Sequence, residues 1–284
     1  MIKLFILFIA VTFNSVYGQG YCALRHPQAK IVSLYPDCEN YETIISTVDD
    51  ETRLTVEKHL GFPLYFYEIG RHNLYAIKKD SQPLGIIHSR SEKSQWGLVE
   101  IIWALDLELN ICNFDFQRCR TSAKTKLLES EFKKLLVKKD FFELKESFHE
   151  FANSDLYKTL NTSEKTLANI LFKSAIKTIA LTEASWTKQI ESLRLKKLTN
   201  KDLKDIKFTK SNNTLPNTRL DFFKGIENQT YFKLTDDKAE TSCIGTFENE
   251  KFKILYIGLF EEKPYDYKNI SKLEKSLNDL KIKL

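Results

Sequence analysis

From Pro63 to Cys119, apolar and polar positions alternate in short bursts: Leu64-Tyr65-Phe66-Tyr67-Glu68, Leu74-Tyr75-Ala76-Ile77, Leu84-Gly85-Ile86-Ile87-His88, Gly97 to Leu107, and Ile111 to Cys119. A period of two predicts strands, and the short connections between them predict an antiparallel meander. The connections carry turn chemistry: Gly70-Arg71-His72-Asn73, Lys79-Asp80-Ser81-Gln82, Glu92-Lys93-Ser94-Gln95 and Glu108-Leu109-Asn110 are polar or tolerate positive φ. In Val99 to Leu105 the odd positions are all apolar, while Glu100 and Asp106 fall on the other side of the strand. That other face is the one expected to meet a ligand.

Helical periodicity flanks the meander. Asp49-Asp50-Glu51 places carboxylates ahead of Leu54, Val56 and Leu60, and Gly61 with Pro63 ends the run, so a helix is predicted from about residue 50 to 60. Leu128, Phe132, Leu135 and Leu136 form one apolar stripe after the meander, and Phe141, Leu144, Phe148 and Phe151 form a second. Asn161-Thr162-Ser163-Glu164 opens a longer helix that runs through Leu167, Leu171, Ala175, Thr178 and Ile179 to Trp186 and is apolar over much of its circumference. After Lys196 the chain turns polar, with a loop at Ser211 to Asn217. Strands are then expected at Leu220–Lys224, Tyr231–Leu234, Ser242–Phe247 and Phe252–Phe260, and a closing helix from about Ile270 to Ile282. The fold class is therefore α+β, an antiparallel meander packed by helices with a smaller C-terminal α+β extension.

The first residues read differently. Met1-Ile2-Lys3 is a positive start, Leu4 to Phe13 is an almost unbroken apolar run, and Val16-Tyr17-Gly18 offers small residues for cleavage, the order of a secretory signal peptide. Residues 1–18 are expected to be removed and the mature chain to begin near Gln19 in the periplasm or outside the cell. The apolar run is shorter than the roughly 20 residues a membrane span needs, and none is expected later. Export permits disulfides, and Cys22 with Cys38 can close a short loop. Cys112 and Cys119 flank a predicted strand that would hold them roughly 23 Å apart, too far to bond. Cys112, in step with Phe114 and Phe116, is expected to be a buried thiol.

Composition narrows the function classes. With 42% hydrophobic and 29% charged residues over 284 positions the chain can bury a core unaided. Its 43 Lys+Arg against 38 Asp+Glu, interspersed, leave +5, which calls for no nucleic acid partner. No P-loop, nucleophile elbow, HExxH, EF-hand or GxGxxG occurs, and no Cys/His spacing suggests zinc. The candidate chemistry is a polar cluster around the meander: Glu68, Arg71, His72, then His88-Ser89-Arg90-Ser91-Glu92, Trp96-Gly97, Glu100, Trp103 and Gln117-Arg118-Cys119-Arg120. Arginine forks for a phosphate or carboxylate beside aromatic surface suit a planar ligand with an anionic tail. The same arginines can instead pair with Glu68, Glu92 and Glu100 as a structural network. A hydrolase using His72 or His88 with Glu68 or Glu100 lacks a local nucleophile.

Pro83-Leu84-Gly85-Ile86-Ile87-His88, followed by Trp96-Gly97-Leu98-Val99-Glu100-Ile101-Ile102-Trp103-Ala104-Leu105-Asp106 and its hairpin to Ile111, resembles the core of the FMN-binding domain family over roughly residues 60 to 185. That family includes exported flavoprotein subunits of bacterial redox complexes. Its SGAT flavin-attachment segment has as nearest counterpart Lys173-Ser174-Ala175-Ile176-Lys177-Thr178, which lacks the Gly and leaves Thr178 as the candidate acceptor. The resemblance implies a domain over 19–195, a β-rich extension over 215–284, and noncovalent FMN as the cofactor. The ring would lie on Trp96 and Trp103, and Arg90 or Arg118 with Ser91 would hold the phosphate. Arg71, His88, Gly97, Glu100 and Thr178 complete the expected cofactor-binding set. The function implied is an electron carrier or redox-linked module serving a membrane redox complex or another exported protein. The alternative is an exported binding or assembly module that has lost flavin.

Overall fold

Two antiparallel meanders carry the fold, with a long helix packed across the inner face of the first. The computed structural model describes residues 26–129, 131–199, 208–212, 218–224, 229–236, 241–257, 274–275 and 277–280. The expected signal peptide, Cys22 and most of the expected closing helix lie outside these residues.

The first sheet has the order β1 (Asn40–Val48), β2 (Gly70–Lys79), β3 (Gln82–Ser94), β4 (Gly97–Leu105) and β5 (Ile111–Arg118). Helix α1 (Gln28–Leu34) precedes it, and α2 (Asp50–Leu60) links β1 to β2. Asp49 caps α2 by accepting from the Thr52 amide, and Gly61 ends it at φ 78°, as its flanking residues predict. The β2–β3 hairpin turns through Asp80 and Ser81, both at positive φ, and β4 turns to β5 through Leu109 at φ 66°. After β5 come α3 (Ala123–Glu129), α4 (Glu131–Lys134), α5 (Phe141–Phe151), α6 (Asp155–Thr159) and α7 (Thr162–Thr199). Asn161 and Glu164 cap α7 reciprocally, each side chain accepting from the other's amide at 2.9 Å.

Several expectations needed correction: Glu92 to Ser94, expected in a turn, still belong to β3, and Ser211 and Asn212, expected in a loop, belong to a strand of the second sheet, Phe208–Asn212. Tyr65 to Glu68 forms no strand: Phe66–Glu68 is a single 3-10 turn closed by the Glu68 carboxylate on the Tyr65 amide, and the sheet's first strand is β1. Gly70 to Asn73 is not a turn but the start of β2, paired with Ile45 to Val48. Cys112 is exposed, because the β4–β5 register slips between Ala104 and Leu105 and leaves Cys112 unpaired in the bulge.

The inner face of the sheet packs on α7, where Leu74, Ile86, Ile101, Trp103 and Phe114 meet Leu167, Leu171, Ala175 and Ile179 in one apolar core. Part of the outer face packs on α1, with Ile31 against Tyr75, Ile77, Ile87, Ile102 and Ala104. Tyr35, just past α1, fastens this layer by donating to the Leu105 carbonyl at 2.5 Å. Its ring crosses Gly85, where an added Cβ would strike Tyr35 Oη and lie 2.6 Å from the Leu105 oxygen. A backbone oxygen in a paired strand cannot yield, so Gly85→Ala is expected to destabilise the protein by about 2–3 kcal/mol. The α1 amides should exchange faster in that variant. Gly97→Ala should cost only about 1 kcal/mol, since Gly97 has φ 92° but open space around it. Urea unfolding of the two variants checks the contrast.

The second sheet has the order β10 (Lys251–Ile257), β9 (Thr241–Glu248), β8 (Thr230–Asp236), β7 (Thr218–Lys224) and β6 (Phe208–Asn212), so it takes in residues ahead of 215. It packs on the end of α7, where Leu195 joins Tyr231 and Ile244 and Lys233 pairs with Glu191. Its β10 edge is covered by a helical segment: Asn278 and Glu274 accept from the amides of Phe252 and Ile254, both at 2.7 Å, and Leu277 enters the core. The α+β class and the smaller C-terminal sheet are as the sequence pattern predicts. Among the described residues no helix is long and apolar enough to cross a membrane.

Candidate functional site

Strand β3 runs through the middle of the first sheet, and its alternation divides the expected site residues between two faces. His88, Arg90 and Glu92 point toward α7, together with Trp103 of β4. Ser91 pairs across the sheet with Glu100, and Glu100 with Arg118, on the opposite face. Trp96 and Gly97 sit at the β3–β4 hairpin, where Trp96 packs half-buried on the core and Gly97 supplies the positive φ of the turn. The ten expected cofactor-binding residues therefore do not form one site.

On the helix side, four charges meet in the core. One Glu68 oxygen accepts from Lys177 at 2.6 Å and from the Arg90 guanidinium, and Glu68's other oxygen accepts from the Tyr65 amide at 2.8 Å. Glu92 accepts from Lys177 at 2.6 Å and lies 3.4 Å from Arg90 Nε. The side chains of all four are buried, so two anions and two cations neutralise one another away from solvent. Burial alone would raise the Glu68 carboxyl's pKa, but Arg90 and Lys177 outweigh it and hold it below the usual carboxylate range. Arg90 is thus committed to carboxylates of its own chain.

Two histidines line the same pocket of charge. His72 Nε2 donates to the Glu68 carbonyl at 2.8 Å, which leaves Nδ1 as the unprotonated nitrogen, and that atom has no partner. His88 Nδ1 bonds the Thr182 hydroxyl at 2.9 Å, and its ring stands edge-on to His72 at 5.8 Å and to Trp186 at 5.2 Å. Burial pushes His72 down to about 4, with the Arg90 charge adding to the effect, and pushes His88 well down for the same reasons. Both imidazoles are neutral at pH 7 and shielded from solvent, and it is the burial that keeps them from a substrate. Trp103 is fully buried, its indole N–H bonded to Ser174 at 3.0 Å, and the Thr178 hydroxyl donates to the Ser174 carbonyl at 2.7 Å. These contacts place the expected ring platform and the expected flavin acceptor inside the core.

The outer face holds a different set. Beyond the apolar patch covered by α1, it turns polar toward Ser89, Ser91 and Glu100 on the central strands. Arg71 and Asn73 continue the face on β2, in step with Tyr75 and Ile77, and Arg71 is exposed. A second β-bulge, between Glu100 and Ile101, makes Gln117 the extra residue of β5 and sets Arg118 opposite Glu100. Arg118 Nη1 comes no closer to Glu100 Oε1 than 3.9 Å, beyond hydrogen-bond range. Glu100 is 1% exposed, and neither of its oxygens accepts a hydrogen bond.

Lys177 is missing from the set expected for a site, although its signal is legible: a lysine in a helical stretch apolar on most sides needs a buried counter-charge. Among the described residues no cluster of three or more His, Cys, Asp or Glu side chains has metal-site geometry. Comparisons of the chain with family models, with curated proteins and with solved structures found no match.

Proposed function

We propose that the chain is an exported, non-enzymatic binding and assembly module, built on a scaffold similar to FMN-binding domains and working without flavin. The observation that carries this reading is the closed network of Glu68, Arg90, Glu92 and Lys177. The arginine expected to clamp a phosphate is spent on two carboxylates of its own chain, and the tryptophan expected beneath the ring is spent on Ser174. A core so neutralised serves architecture, and it leaves recognition to the exposed surface of the chain. The partner class is another exported protein or a small molecule presented by one.

One observation favours the flavoprotein reading as a second. Ser91, Glu100 and Arg118 come together on the outer face, where an imide N–H could meet Glu100 and a phosphate Arg118. Against it, the residues around Glu100 on this face, Ser91 and Ser89 of β3, Ile102 of its own strand and Gln117 and Arg118 of β5, give a flavin ring no aromatic platform.

Visible absorbance of the mature protein, purified from an exporting host, separates the two. A colourless protein that takes up no added FMN is expected. A yellow protein that releases FMN on unfolding would overturn the proposal and establish a noncovalent flavoprotein. Colour retained by the unfolded chain would point to covalent attachment at Thr178.

A further inference from the structure

We propose that the aromatic turn ahead of β2 is an anchor for a membrane surface: Phe66 enters the interface of an anionic bilayer, while Tyr65, Tyr67, Lys93 and Lys173 lie at the level of its headgroups. Such an anchor goes beyond the binding reading above and is independent of flavin.

Phe66 is 90% exposed and Tyr65 beside it 55%, so the turn presents aromatic surface to solvent. A single exposed apolar side chain is ordinary, but this one stands at the crest of a turn that the core holds in place. The Ile69 amide donates to the Phe66 carbonyl, and the Glu68 carboxylate accepts from the Tyr65 amide while Lys177 and Arg90 hold it from the inside. The flanks are fixed by stacking: Tyr65 lies on Tyr67 with ring centroids 5.2 Å apart and planes 11° from parallel, and Lys93 Nζ sits 4.1 Å from the Tyr67 ring centre. The buried charge network therefore supports a preformed projecting ring, which needs little further ordering when it binds.

Exposure falls from Phe66 at the crest to Tyr65 and then to half-buried Tyr67, and exposed ammonium groups border the three rings. Lys93 covers Tyr67, and Lys173 lies 5.6 Å from the Phe62 ring, one helical turn before Lys177, whose Nζ is 5.9 Å from the Tyr65 ring. Carboxylates at this end of the chain are engaged within it: Glu68 and Glu92 by Lys177, and Glu57 by the Leu64 amide at 2.8 Å. An apolar tip, a collar of phenols and a basic rim follow the order in which a bilayer presents hydrocarbon, interface and anionic phosphates. A stable protein interface takes roughly 20–30 residues a side, more than one turn and its rim supply. A bilayer asks only for an apolar tip and a basic rim, and one tip gives weak, reversible attachment.

Co-sedimentation of the mature chain with vesicles measures this, using phosphatidylcholine alone and an equal mixture of phosphatidylcholine and phosphatidylglycerol. Binding to the mixed vesicles is expected at low salt, at least about fivefold tighter than to phosphatidylcholine, and it should weaken as salt is raised. Phe66→Ser should weaken binding by about tenfold while leaving the melting temperature unchanged, because the ring lies almost wholly in solvent. Lys93→Glu with Lys173→Glu should remove the preference for the anionic vesicles, and thermal unfolding shows whether that variant is folded. Equal binding by wild type and folded F66S would overturn the proposal, as would no sedimentation of folded wild type with the mixed vesicles. Self-association of wild type that F66S abolishes, without vesicle binding, would assign the turn to a second copy of the chain and overturn it as well.

Discussion

Arg90→Met is expected to destabilise the protein by about 3–5 kcal/mol at pH 7. Methionine keeps most of the arginine stem's volume, so the loss isolates the charge. What remains is Glu68 and Glu92, both buried and both held by the single cation Lys177. One carboxylate is then left uncompensated in the core and must take up a proton or draw in water. The double variant Arg90→Met with Glu92→Gln restores one anion to one cation and should recover a good part of the loss, the non-additive behaviour of coupled neighbours. Urea unfolding of wild type, the two single variants and the double variant measures the coupling. A cost below about 1 kcal/mol for Arg90→Met would mean that the four charges do not form a network in solution and that the Arg90 guanidinium is available to a ligand. The same cycle thereby tests the argument against flavin, because that argument depends on Arg90 being occupied.

Much of the first sheet is legible in the alternation of the sequence, and its misses share a cause. Tyr65, Phe66 and Tyr67 have the aromatic composition of a strand, yet among the described residues no strand lies alongside them to pair with. They form a turn that leaves Phe66 90% exposed and stacks Tyr65 on Tyr67 at 5.2 Å. Strand preference expresses neighbours rather than backbone, and sequence alone does not supply the neighbours. β1 is hard to read for the complementary reason: it is an edge strand with only Val48 fully buried, so its alternation is faint. The candidate site suffers from nearness in sequence. His88, Arg90 and Glu92 lie one residue from Ser89 and Ser91, but a period of two sends the sets to opposite faces, and only the helix-side set finds partners on α7. Glu100 is the exception. Its place among apolar odd-numbered neighbours sets it on the other face by alternation alone, and that face is where the unpaired carboxylate lies. No local pattern announces that Lys177, far along the chain, reaches Glu68 and Glu92.

Acid should unfold this protein earlier than its carboxylates alone require, because two histidines are buried neutral. His72 titrates near 6.5 in an unfolded chain and at about 4 in the folded one, held down first by burial and then by Arg90. His88, fully buried and facing Arg90, His72, Thr178, Thr182 and Trp186, is displaced in the same direction. A folded pKa below the unfolded one means that the unfolded chain binds more protons in the interval between them, so stability falls as pH drops through that interval. The stability is fully present above pH 6.5. For His72 the loss runs from 6.5 down to about 4 and amounts to about 3 kcal/mol. Glu68, held below the ordinary carboxylate value of 4.5, adds a further loss below pH 4.5, as its protonation removes an anion from between Arg90 and Lys177. Unfolding free energy measured in urea from pH 8 to pH 4 should be level down to about 6.5 and then decline with a slope approaching two protons. His72→Gln retains an N–H for the Glu68 carbonyl but cannot titrate, and it should reduce that slope by about one proton. A wild-type profile that stays level to pH 4.5 would show that protons reach neither imidazole differently in the two states, and the buried, neutral pair would have to be abandoned.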